Sequence, residues 1–347
     1  MPTTVGSDGW GRILARSHHV KGLLRCLEGM SPCVWNVRHG EMHHVRLVRK
    51  SATCPPSGWF VPDGACALCA RAPSTGEGPV RMGICVEVQV LGAIAGDVIG
   101  SVYEWHNTKS LDFELFSEQS RFTDDTVLTV AVADSILSGA PLVELLRQYV
   151  LAYPRRGYGG YFRKWVESGS TSPYGSWGNG ASMRVSPVGF AYPTLEETIA
   201  RAAESAAVTH NHEQAVTAAC AVAAAIFLAR TGVRRHEIQR ELETRFGYDL
   251  SVSLEEIRPS YTFDVSSAGS VPQALRAFLE STSFEDAIRR AVSIGGDSDT
   301  IACITGGVAH AAYGTVPPEI RSAVLARLDP RMIEVVEAFS QRYGVSA

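Results

Sequence analysis

Two short acidic motifs stand about 170 residues apart, Thr123-Asp124-Asp125-Thr126 and Gly295-Gly296-Asp297-Ser298-Asp299-Thr300. Each packs two carboxylates and at least one hydroxyl into a single turn of chain, and each opens an apolar run. Carboxylate and hydroxyl oxygens are hard ligands that suit Mg²⁺ or Mn²⁺ rather than zinc. If folding brings the two clusters together, four carboxylates could hold two divalent ions a few ångströms apart. That is the arrangement used for metal-assisted attack by water.

The elements that must position these residues read as helices. Val88 to Tyr103 is an apolar run in which Gly92, Gly96 and Gly100 recur every fourth residue, a smooth stripe that lets another helix come close. Asp97 interrupts that run and is costly there unless satisfied. We expect it to bond backbone donors first and to lie near a metal second. Glu104 follows the run. A helix is predicted to start at the first acidic motif, over 123–137, with Gly139 as its stop. Further helices are predicted at 142–151, through Trp165, at 195–207, across the Ala-rich segment 215–229, and at 235–246, 272–280, 283–293, 298–313, 317–328 and 330–343. Residues 172–189 read as one long Gly/Ser/Pro-rich loop, a length that usually signals function. Strand-like alternation is scarce. The reading is all-α: one compact orthogonal domain of roughly a dozen helices.

Composition divides the chain near residue 85. Residues 1–85 hold six of the eight Cys and ten Lys/Arg against five Asp/Glu, whereas the remainder is acidic. We expect 1–85 to be an extension with little structure of its own, or upstream sequence if translation starts at Met82, and 86–347 to be the folded domain. Cys66-Ala67-Leu68-Cys69, with Cys33 or Cys54, is the one sign of a zinc site, and no second pair follows at a convincing spacing. Cys220 and Cys303 read as small buried residues. A net charge of −4 argues against a nucleic-acid partner or an anionic membrane surface. The Ala-rich segment reads as a buried helix rather than a membrane span. The N-terminus lacks the apolar core of a signal peptide, so the expected compartment is the cytoplasm.

From about Leu91 onward the chain resembles the ADP-ribosylglycohydrolase family. The motifs that carry the resemblance are GAIAGDVIGSVYE (92–104), FTDDT (122–126), GYGGYFRKW (157–165), SWGNGASMRVSPVG (176–189), THNH (209–212) and SIGGDSDTIACITGG (293–307). The resemblance implies an all-helical domain with a binuclear Mg²⁺ centre, Mn²⁺ being possible. Its ligands would be Thr123, Asp124, Asp125, Asp297, Asp299 and Thr300. It also implies that Ser176, Trp177, Gly178, Asn179, Gly180 and His210 line a cleft for ADP-ribose. Trp177 could flank the distal ribose, stack on adenine, or serve only as a packing residue. Arg155, Arg156 and Arg184 are within sequence reach of a phosphate.

The implied reaction is hydrolysis of a glycosidic bond at C1″ of the distal ribose, through an oxocarbenium-like transition state. It would release ADP-ribose from a modified protein side chain or a small conjugate. Glu104 is the candidate for proton transfer, with Asp299 as the alternative. Two other readings stay open: a catalytically inactive ADP-ribose-binding module, and a two-metal phosphohydrolase acting on nucleotides.

Overall fold

The computed structural model describes residues 89–344. The expectations for residues 1–85, including Cys66, Cys69 and a start at Met82, lie outside the described residues. The described residues belong to one compact unit, and among them there are fifteen helices and no strand.

The helices are α1 (Leu91–Gly100), α2 (Asp124–Ser138), α3 (Leu142–Ala152), α4 (Gly160–Ser168), α5 (Gly180–Met183), α6 (Ser186–Ala191), α7 (Leu195–Ala207), α8 (Glu213–Arg230), α9 (Arg235–Phe246), α10 (Leu254–Ile257), α11 (Ser267–Glu280), α12 (Phe284–Ile294), α13 (Ser298–Tyr313), α14 (Pro318–Leu325) and α15 (Pro330–Tyr343). Two of them form the centre. Every residue of α1 is buried, and so is all of α13 except its last two residues. A helix that is apolar on all sides belongs in an interior.

The glycine stripe explains how these two meet. A methyl group placed on Gly92, Gly96 or Gly100 would lie 2.4, 2.0 or 2.6 Å from atoms of α13. The two backbones therefore touch directly, and this close approach carries Asp97 of α1 up to Asp299 of α13. The Ala-rich helix α8 packs on the other side of the core. It has the length and hydropathy of a membrane span, but 61% of it is buried within the fold. Gly189 of α6 lets that helix come close to α8: a methyl there would lie 2.6 Å from Ile226. Cys220 and Cys303 are buried free thiols, as expected.

Two sequence expectations need correction. Residues 172–189 are not one loop, because α5 and α6 occupy its second half. Helix α11 begins at Ser267 rather than Pro272. Ser266 caps the helix by accepting from the N–H of Gly269, and Pro272 sits inside it. The surplus over a dozen helices comes from the short elements α5, α6 and α10.

Candidate metal centre and cleft

The two acidic motifs are both helix starts, and the fold puts those starts side by side. Asp97 organises the first. Its carboxylate accepts from the Thr123 hydroxyl at 2.6 Å, from the Thr123 N–H at 2.9 Å and from the Thr126 N–H at 3.1 Å, with a further close bond from the Thr126 hydroxyl. One buried carboxylate thus closes the open N-terminus of α2. The expected backbone role for Asp97 is what the structure shows, and its position near the other carboxylates comes with it.

The second motif turns on Gly295 and Gly296, with φ of +77° and +72°, which glycine alone adopts without strain. Asn107 locks this turn to the segment after α1. Its side chain accepts from the Gly296 N–H at 2.7 Å and donates to the Gly296, Tyr103 and Glu104 carbonyls at 3.0, 2.6 and 2.9 Å. Lys109 reinforces it by donating to the Ile294 and Tyr261 carbonyls. Glu104 is held beside Asp297 by this clamp. Sequence reading missed Asn107 and Lys109, whose partners Gly296, Tyr261 and Ile294 lie more than 150 residues away.

Together these elements build two carboxylate triads. Oxygens of Asp97, Asp125 and Asp299 lie within 4.8 Å of one another, and so do oxygens of Glu104, Asp297 and Asp299. Asp299 belongs to both. Asp124 stands at the first turn of α2, where its oxygen faces Gly157, whose φ is +106°. A methyl there would lie 2.7 Å from that oxygen. Thr300 follows Asp299 and donates its N–H to the Asp299 carboxylate. The Thr123 hydroxyl is turned inward to Asp97.

The electrostatics of this group call for cations. None of the ion pairs among the described residues involves these carboxylates. Burial, and then neighbouring carboxylates, push Asp124, Asp125 and Asp299 well above the usual range. Burial raises Asp97 and Asp297 as well, and burial with the nearby Asp297 brings Glu104 to about 7. Like charges at such separations repel by about 3–4 kcal/mol per pair at an effective dielectric near 20. Asp125 Oδ1 is buried and has no hydrogen-bond partner. An unpartnered buried carboxylate oxygen, surrounded by other carboxylates, fits a hard divalent cation.

A cleft of about 840 Å³ opens from this cluster. Its walls bring together Glu104, Asp124, Asp125, Asp297, Asp299 and Thr300 with Ser176, Trp177, Gly178, Asn179, Gly180 and His210. All the expected site residues except Thr123 line it. The 176–180 segment is pinned to the start of α11: the Asn179 N–H donates to Val265 O, and the Ser267 hydroxyl donates to Gly178 O. Asn179 also donates its side-chain amide to Asp297 at 2.6 Å, so it braces the carboxylate cluster. Trp177 is half-exposed at the mouth, whereas His210 is buried in the wall. The candidate phosphate-binding arginines behave differently. Arg155 is exposed, Arg156 lies over the Phe122 ring at 3.8 Å, and Arg184 is buried in the wall of the cleft. A stacked pair that sequence reading missed, Trp105 on Phe263 at 5.4 Å, stands at the lip beside Glu104.

The family model described as ADP-ribosylglycohydrolase matches residues 89–345. The chain is 28% identical over 303 residues to ADP-ribosylhydrolase ARH3 of Mus musculus, a match covering 64% of this chain and 82% of the relative. It is 25% identical over 267 residues to ADP-ribosylarginine hydrolase Tri1 of Pseudomonas putida, covering 66% and 71%. A solved structure titled ADP-ribosylglycohydrolase-related protein complex superposes with a TM-score of 0.56 at 24% identity, covering 73% of this chain and 96% of that one, which supports the fold.

Proposed function

The chain belongs to the ADP-ribosylglycohydrolase family, and on that premise we propose that it hydrolyses an ADP-ribosyl glycosidic bond with the help of two divalent ions. The bond is the one at C1″ of the distal ribose, and the product is free ADP-ribose. The substrate is a modified protein side chain or a small conjugate. The observation that carries this reading is the pair of carboxylate triads sharing Asp299 at one end of a cleft large enough for a dinucleotide-sized ligand.

Asp124, Asp125, Asp297, Asp299, Thr300 and Thr123 would hold the ions, which are Mg²⁺ or Mn²⁺ by donor chemistry. Bound there, they supply Lewis acidity and charge neutralisation beside the reacting sugar. The remaining work falls to the protein. Glu104 lines the cleft beside Asp297 and Asp299. It takes the proton of the attacking water and can return one to the leaving group. Negative charge from Glu104 and Asp299 stabilises the oxocarbenium character at C1″. Gly178 and Gly180 leave their backbone open to close approach by the pyrophosphate, His210 donates a hydrogen bond from the wall, and Trp177 offers a ring face for adenine.

The test is release of ADP-ribose from arginine-, serine- and acetyl-linked conjugates, with Mg²⁺ and with EDTA. Mg²⁺-dependent release supports the reading and identifies the linkage. Mg²⁺-dependent binding of ADP-ribose with no release from any conjugate would replace it with a binding module.

A further inference from the structure

Arg184 is among the largest fully buried side chains, at 1% exposure, and it takes part in no ion pair among the described residues. Its Nη2 donates to Thr209 Oγ1 at 2.7 Å, with a longer contact to Ser205 O at 3.4 Å, while Nε and Nη1 have no partner. A guanidinium only donates. The oxygen of Thr209 is therefore an acceptor toward Arg184, and its one proton must go elsewhere. His210 Nδ1 lies 2.7 Å from that oxygen. Were Nδ1 protonated, Thr209 would accept twice, and its own proton would have no other partner among the described residues. Thr209 is wholly buried, and stranding a buried hydroxyl proton is unfavourable. Nδ1 is therefore bare and Nε2 carries the hydrogen. Nε2 faces the Gly180 edge of the cleft, where a methyl on Gly180 would lie 3.2 Å from it.

We propose that Arg184 and Thr209 are positioning residues that lock His210 as the Nε2–H tautomer, presenting one directed N–H to an acceptor oxygen of the ligand. Arg184 acts on His210 through Thr209. Burial, and then the Arg184 charge, bring His210 to about 3 and keep the ring neutral. A neutral, fixed tautomer donates in one direction only, which suits a phosphate or ribose oxygen and rejects a donor in the same place. The identity of the ligand rests on the proposed function. The tautomer does not.

The experiment uses the ¹⁵N-labelled full chain and long-range ¹H–¹⁵N correlation of the histidine rings, with His210→Gln identifying the His210 signals. We expect Nδ1 to resonate as a bare imidazole nitrogen and Nε2 as a protonated one. Thr209→Val should lose that selection and weaken ADP-ribose binding in Mg²⁺ about tenfold, and Thr209→Ser should restore both. A protonated Nδ1 in the wild type overturns the proposal, as does a folded Thr209→Val chain with unchanged tautomer and affinity. If the valine variant does not fold, the wild-type spectrum decides. If the wild type does not bind ADP-ribose, the proposed function fails and the spectrum still decides the tautomer.

Discussion

Gly96→Ala tests whether direct contact between α1 and α13 builds the carboxylate cluster. The added methyl would sit 2.0 Å from the Ala302 carbonyl oxygen and 2.7 Å from the Cys303 nitrogen, against 3.4 Å for ordinary contact. Both obstacles are backbone, so no side chain can swing away and the helices must separate. Overpacking of this kind costs about 1–3 kcal/mol, and the rigid backbone on both sides puts this site at the upper end. The substitution also removes a helix-interior glycine, which returns up to about 1 kcal/mol. Crowding wins, with a net loss of about 2 kcal/mol. For a domain of this size that lowers the melting temperature by about 4–8 °C. The same separation draws Asp97 away from Asp299, so the stabilisation gained on adding Mg²⁺ should shrink too. Two comparisons calibrate the result. Gly307→Ala meets only side-chain carbons, the nearest at 3.2 Å, and should be nearly neutral; Gly160→Ala meets nothing within 4 Å. Thermal unfolding with and without Mg²⁺ reads all three. A Gly96→Ala chain that melts with the wild type and gains as much from Mg²⁺ would refute the reasoning.

The carboxylates give further expectations. Asp124, Asp125 and Asp299 are raised in the fold, so their contribution to metal-free stability is full below the ordinary value near 3.8 and is lost as pH rises toward the raised values. The Mg²⁺-induced gain in melting temperature should therefore grow between pH 5 and pH 8, and a gain that shrinks over that range would contradict the assignment. Glu104→Gln should lower turnover by about 10²-fold or more while ADP-ribose still binds; unchanged turnover would reduce Glu104 to a wall of the cleft. Asn107→Ala removes the clamp between the Glu104 segment and the Gly295-Gly296 turn. It should reduce turnover more than ADP-ribose affinity, and equal losses in both would mean that the clamp serves only stability.

Much of this site was legible because its chemistry is concentrated in single turns. Asp124, Asp125, Asp297 and Asp299 occur as pairs next to hydroxyls and glycines, a pattern that local sequence displays in full. The Gly92, Gly96 and Gly100 stripe had a period that announced a close-packed helix, and the partner proved to be the helix that carries Asp299. Short elements were not legible: α5 and α6 span four and six residues, too few for a 3.6-residue period to stand out. Long-range polar partners were hidden for a different reason. Nothing in the sequence near Asn107 points to Gly296, and nothing near Arg184 points to Thr209. Arg184 read as a phosphate ligand because arginine so often is one. The fold sets it in the cleft wall, where it also bonds Thr209 beside His210. The Trp105–Phe263 pair is likewise made only by folding, since two aromatic residues 158 positions apart carry no shared signal.

The most direct measurement of the central claim is ADP-ribose release by the full chain after EDTA stripping, followed as Mg²⁺ is restored, in the wild type and in Asp299→Asn. Asp299 belongs to both triads, so its loss should disable both ion sites together. We expect no release from the stripped wild type, recovery with Mg²⁺, and little recovery in the variant at any Mg²⁺ concentration tested. Full turnover by the stripped wild type, or by Asp299→Asn, would contradict that claim.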